Sequence, residues 1–287
     1  MANLWSLEGL SVAELLRRTA RESWEDSVFG QGGRMAFYQF LALFPSLLIF
    51  LAVTSRVPHF GGYVSDTVRD LGGQVLPAQL SQLLREMLAD LNRHALFGTE
   101  FISHCAGALW AAFNSTWAMI YGLNRAYEVR ERRSRWQLAG LNIGLTFVIG
   151  AIVATAVLLI VGAMVLEGRR HGSFILRTLE WLIVGIAAYL CLALLYRFAP
   201  NVLEHEWRWS TPGALCALVI WLGSSFAARF YFEYINDYSR SYGYLNGAAI
   251  LLLWLYCSNG AILIGGELNS EIEKAGRQNR DRPAGPQ

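Results

Sequence analysis

Six long apolar segments constrain this 287-residue chain more than anything else in it. They run over residues 36–57, 101–123, 138–166, 174–200, 211–235 and 245–267. Each exceeds the roughly 20 residues that, at about 1.5 Å rise per residue, cross a hydrocarbon core of about 30 Å. Inside lipid no water can satisfy backbone N–H and C=O groups, so a spanning segment closes its own hydrogen bonds as a helix. The expected fold is therefore all-α: a polytopic membrane protein with six transmembrane helices. Composition agrees, because 16% of residues are charged and 54% hydrophobic, whereas soluble domains carry about 25% charge.

The basic residues set the expected orientation. Arg125, Arg130, Arg132, Arg133 and Arg135 crowd the connection between the second and third segments. Arg17, Arg18, Arg21 and Arg34 precede the first segment, and Lys274, Arg277, Arg280 and Arg282 follow the last. Basic loops stay in the cytoplasm, which puts both termini inside, as an even number of spans requires. No cleavable signal peptide is expected, because the first apolar segment follows a polar stretch of about 35 residues and is too long for a signal h-region. A net charge of +2 is too small to point to nucleic acid, and the arginine cluster is accounted for by topology and anionic lipid.

Three regions follow: an amphipathic cytoplasmic segment over 1–35, a transmembrane domain over 36–267, and a tail over 268–287 expected to be cytoplasmic and disordered. In the first, Val12, Leu15, Leu16, Trp24 and Val28 recur at helical spacing, with Ser11 as N-cap and Glu14 at the capping-box position. Gly30, Gly32 and Gly33 are expected to hinge this segment to the first span. The periplasmic loop over 58–100 holds an amphipathic helix in which Leu76, Leu80, Leu83, Leu84, Met87, Leu88 and Leu91 share a face. It would cap the bundle or lie on the lipid surface.

Within the spans, small residues mark expected helix contacts: the stripe Ser103, Gly107, Ala111, Ser115, Ala118 and Gly122, and the pair Gly140 and Gly144. Pro45 removes one backbone hydrogen bond from the first span and is expected to kink it. Polar groups at membrane depth are the usual pointers to function. Arg229 and Glu233, at i, i+4 spacing, could pair; the alternative is that Arg229 snorkels to the headgroups. Asn114 is expected to donate a hydrogen bond to a neighbouring helix; the alternative is a substrate ligand. The four cysteines fall inside apolar segments and read as small hydrophobes, neither disulfide-bonded nor metal-binding.

Enzyme signatures do not emerge. The five histidines are scattered without HxxxH or HxE spacing, and neither a GxSxG elbow nor a GxxxxGK[ST] loop occurs. No cofactor and no catalytic residue is therefore expected.

Several separated motifs resemble the YihY/BrkB family of bacterial inner-membrane proteins. Residues 37–48 read FYQFLALFPSLL, and Leu123–Tyr127 reads LNRAY with Asn124, Arg125 and Tyr127. Then come RFAPN with Pro200, WRWSTPGA beginning at Trp207, YGYL with Tyr242 and Gly243, LLWLY with Trp254, and GGELN with Glu267 and Asn269. Gly266 stands where the family often has alanine. The resemblance spans roughly residues 11–275. It implies six helices, cytoplasmic termini, and a part in envelope biology for which lipid export has been suggested. It also brings a ribonuclease BN label, now regarded as misassigned, that no hydrolytic site here supports. The expected function is handling or export of an envelope lipid or other amphiphile. The alternative is a non-transporting scaffold in envelope assembly. Membrane lipids are the expected partners.

Overall fold

The computed structural model describes residues 9–54, 99–167, 174–202, 212–234 and 244–281. Among them the chain is all-helical, with seven helices and no strand. They are α1 (Val12–Glu25), α2 (Val28–Thr54), α3 (Thr99–Ala126), α4 (Arg135–Glu167), α5 (Phe174–Phe198), α6 (Pro212–Tyr234) and α7 (Tyr244–Asp281). The amphipathic helix expected in the first loop, and Trp207, Tyr242 and Gly243, lie outside the described residues, as do the side chains of Arg229 and Glu233.

Among the described residues three helices are long and apolar enough to cross a membrane, over Arg135–Ile160, Trp181–Phe198 and Ala248–Asn279, and Pro212–Ala228 forms a shorter apolar stretch. Phe147, Val153, Leu159, Leu182, Ile186 and Val219 all point outward. A water-soluble bundle would turn such residues inward, so this outward apolar surface is built for lipid.

α7 is the organising element. It packs against α6, α2 and α1, while α2 and α3 lie along each other. The core runs through Met35, Ile120, Leu123, Leu195, Tyr196 and Leu263. The stripe on α3 packs over its later part, with Ala111, Ser115 and Ala118 buried and Leu263 of α7 pressed against Gly122, whereas Ser103 at its start is exposed. Gly140 and Gly144 do not. Both are exposed with open space around them, because α4 turns Leu138, Asn142 and Leu145 to the bundle instead. Asn142 donates to the Phe113 carbonyl at 3.2 Å, and the Thr116 and Thr146 hydroxyls meet at 2.9 Å.

Two further expectations are corrected. Gly30, Gly32 and Gly33 form no hinge: they are helical residues of α2, and a Cβ on Gly32 would sit 3.3 Å from the Gly260 amide of α7. Gly32 therefore serves close approach of two backbones. Nor are residues 268–281 disordered, because α7 continues to Asp281. Leu268 and Ile272 bury there against Leu15 of α1, a small second core that makes this extension a folded element.

α1 begins as its sequence suggests, with the Ser11 hydroxyl accepting the Glu14 amide at 3.2 Å. The Glu14 carboxylate turns to Arg18, at 2.8 Å, and that bond holds its carboxyl below the usual range. Buried between the helices, Gln39 and Asn259 exchange amide hydrogen bonds of 3.1 and 2.8 Å between α2 and α7.

Candidate functional site

One end of the bundle brings together the basic residues of α1, of the connection between α3 and α4, and of the C-terminal turns of α7. Here α3 ends in a left-handed turn. Glu128 has φ 50°, and the Val129 amide reaches back to the Asn124 carbonyl at 2.9 Å, the six-to-one bond of a Schellman cap. That turn carries Glu131 back over the helix end. The buried Asn124 side chain donates to Glu131 at 2.8 Å and accepts the Asn201 amide at 2.7 Å. The second Glu131 oxygen accepts the Arg133 amide at 2.9 Å. Arg133 then donates to the carbonyls of Phe198, Ala199 and Pro200 at 3.3, 3.2 and 2.8 Å. A guanidinium there satisfies the orphan carbonyls at the end of α5 and suits the negative pole of its dipole. Asn124 and Pro200 are thus parts of one staple joining three chain segments.

Beside the staple, Tyr127 is buried and hydrogen-bonds to Asn269. Asn269, fully buried, accepts the Gly213 amide at 2.9 Å, capping α6 from a different helix. Glu267 is also buried, and one of its carboxylate oxygens has no hydrogen-bond partner among the described residues. Ion pairs close the periphery: Arg125 to Asp26 at 3.2 Å, and Lys274 to Glu128 and Glu271 at 2.8 and 2.7 Å. On α1, burial holds the Glu22 carboxyl above its ordinary range, with Lys274 opposing the shift.

Between α2 and α3 lies a cavity of about 500 Å³. Gln31, Arg34 and Tyr38 line it from α2, and Asn114, Trp117, Ala118, Tyr121, Asn124 and Arg125 line it from α3. Val129 and Glu131 close its polar end. From Arg125 to Asn114 the lining runs eleven residues along α3, a depth of about 16 Å at the helical rise. Trp117 and Tyr121 keep 36% and 42% of their surface exposed, so the cavity opens along that side. Their rings lie 5.7 Å apart, and Tyr38 meets Trp110 edge-on at 6.1 Å.

Asn114, Asn124 and Arg125 therefore share one site, while Tyr127, Glu267 and Asn269 form the packing layer beside it. Asn114 does not reach a neighbouring helix. Its amide donates to the Trp110 carbonyl of its own helix at 2.7 Å, and the residue lines the cavity. Pro45 is remote from this site and packs near Gly107. Trp254 donates to the Ser225 hydroxyl at 3.0 Å on the other side of the bundle. Sequence reasoning passed over Gln31, Arg34, Trp117 and Tyr121 as lining residues. Their signal was present: α3 exposes Trp110, Trp117, Tyr121 and Arg125 together with Asn114 at steps of three and four.

Residues 19–287 match the virulence factor BrkB family. The putative ribonuclease-like protein YfkH of Bacillus subtilis is 28% identical over 85% of this chain and 90% of its own length. A UPF0761 membrane protein of Xanthomonas axonopodis pv. citri is 25% identical over 88% of this chain. Another, from Stenotrophomonas maltophilia, is 25% identical over 86%. The match covers about three fifths of the length of these two, at 59% and 58%. No solved structure matches the chain. The outward apolar helices and a family match over nearly the whole sequence lead to one conclusion: this membrane protein belongs to the virulence factor BrkB family.

Proposed function

We propose that this protein binds an amphiphile, an envelope lipid or lipid-linked molecule, in the cavity between α2 and α3 and moves it without a chemical step. In this reading α2–α7 are six membrane spans of a bacterial inner membrane, with both termini cytoplasmic and the basic end of the bundle inside. The observation that carries it is the cavity itself. It joins amides and guanidiniums at one end to exposed indole and phenol rings, and it reaches about 16 Å along α3. Pockets that bury an apolar body and fix it by a few polar groups are the ordinary form of a small-molecule site. Asn114, within an apolar helix, would be costly against lipid tails alone but is useful against a polar headgroup.

The ribonuclease-like name of the Bacillus relative does not enter this reading. The one carboxylate lining the cavity, Glu131, already accepts bonds from Asn124 and Arg133, which leaves it poorly placed as a general base. A photo-crosslinking residue at Tyr121, introduced in living cells, tests the proposal. Lipid adducts are expected there, and Asn114→Trp, which fills the cavity, should abolish them. Adducts only to other proteins would replace this reading with an envelope-assembly scaffold.

A further inference from the structure

Each anionic group on the cavity wall is already engaged. One Glu131 oxygen accepts from Asn124 and the other from the Arg133 amide. Arg125, in turn, is held by Asp26 at 3.2 Å and the Glu25 carbonyl at 3.4 Å. Arg34 differs. It is exposed, lines the cavity, and among the described residues its bond is to Gln31 of its own helix, at 2.7 Å, and no carboxylate forms an ion pair with it. Gln31 therefore holds the guanidinium in place without neutralising it. A planar guanidinium with donors to spare binds phosphate oxygens in a fork, and more strongly than neutral donors do. Arg34 lies in the second turn of α2 and shares the cavity lining with the rings of Trp117 and Tyr121.

We infer that the cavity selects a phosphate-bearing lipid, its phosphate on Arg34 and its apolar part along the faces of Trp117 and Tyr121. This rests on the amphiphile reading above and adds the chemistry of the headgroup. Lipid and free phosphate share that chemistry, so the test separates them.

The full-length protein in neutral detergent is titrated by native mass spectrometry with three probes: phosphatidylglycerol, diacylglycerol with the same chains, and inorganic phosphate. Phosphatidylglycerol should bind about tenfold more tightly than diacylglycerol, as one charge-assisted contact allows. Arg34→Gln should remove that preference and Arg34→Lys should largely keep it, which separates charge from misfolding. Asn114→Trp should lose both lipids relative to the wild type. Equal binding of the two lipids by the wild type, or an unchanged preference in Arg34→Gln, overturns the phosphate assignment and leaves the cavity reading standing. Undiminished binding of both lipids by Asn114→Trp overturns the cavity reading as well. Displacement of phosphatidylglycerol by equimolar inorganic phosphate would overturn the lipid as the source of the anion.

Discussion

Asn269 of α7 caps a helix to which it does not belong, its side-chain oxygen accepting the Gly213 amide at 2.9 Å. The approach that permits this bond is close. A Cβ on Gly213 would collide with the Gly265 carbonyl and the Asn269 side chain, and one on Gly265 would collide with the Gly213 carbonyl and the Tyr196 hydroxyl. Gly213→Ala and Gly265→Ala are therefore expected to prevent folding, because backbone cannot step aside. A Cβ on Gly266 meets chiefly the side-chain end of Leu123, at 2.8 Å. Gly266→Ala should cost only about 1 kcal/mol, as a mild overpacking. Thermal unfolding in detergent separates the three; equal behaviour would contradict the geometry.

The Asn124 staple gives a second expectation. Asn124→Ala leaves the Asn201 amide and a Glu131 oxygen without their partner. Unpaired buried polar groups cost about 1–3 kcal/mol each, so a large fall in unfolding temperature is expected. Asn124→Asp keeps the acceptor but sets a carboxylate against Glu131, and should be at least as damaging. A silent Asn124→Asp would show that the side chain does not bridge these segments.

Ser27 has φ 53° in the turn between α1 and α2. Non-glycine residues pay about 1–2 kcal/mol in that region. Ser27→Gly should therefore stabilise the protein by about 0.5–1 kcal/mol after the entropy of the unfolded chain is counted. The check is a paired melting curve with Ser27→Ala, which keeps the strain and should show no gain.

The proposed orientation makes a fourth expectation. In a variant without the four native cysteines, a cysteine at Ser134 should resist a membrane-impermeant maleimide in intact spheroplasts, and one at Gln82 should react. The reverse pattern would invert the orientation.

How far the sequence could be read depended on what each residue was read against. The bounds of α3 and α4 followed closely from apolar length, since the expected 101–123 is α3 over Thr99–Ala126 and the expected 138–166 is α4 over Arg135–Glu167, whereas α2 starts eight residues before the expected 36 and α7 ends fourteen after the expected 267. Length is a property of one segment, and desolvation of its backbone enforces it. The facing of residues was harder, because it depends on a neighbour. Gly140 and Gly144 have the spacing of a helix contact yet are exposed, while Gly32, read as a hinge, touches α7. The tail beyond 268 looked polar along its length, but Leu268, Ile272 and Ala275 share the face that meets α1. At the candidate site, family resemblance pointed to Asn124 and Arg125. The groove they belong to needs the facing residues of α2, and no spacing within α3 can supply those.

The Gln39–Asn259 pair has a consequence for synthesis as well as for packing. The two residues are 220 positions apart, and ribosomes add about 5–20 residues per second. Gln39 is therefore made about 10–45 s before its partner. Through that interval its amide depends on another donor and acceptor: a neighbouring helix, water at the translocon, or an insertion factor. Completion of α7 thus releases α2 from a temporary host, and a chain truncated before Asn259 would keep that host occupied.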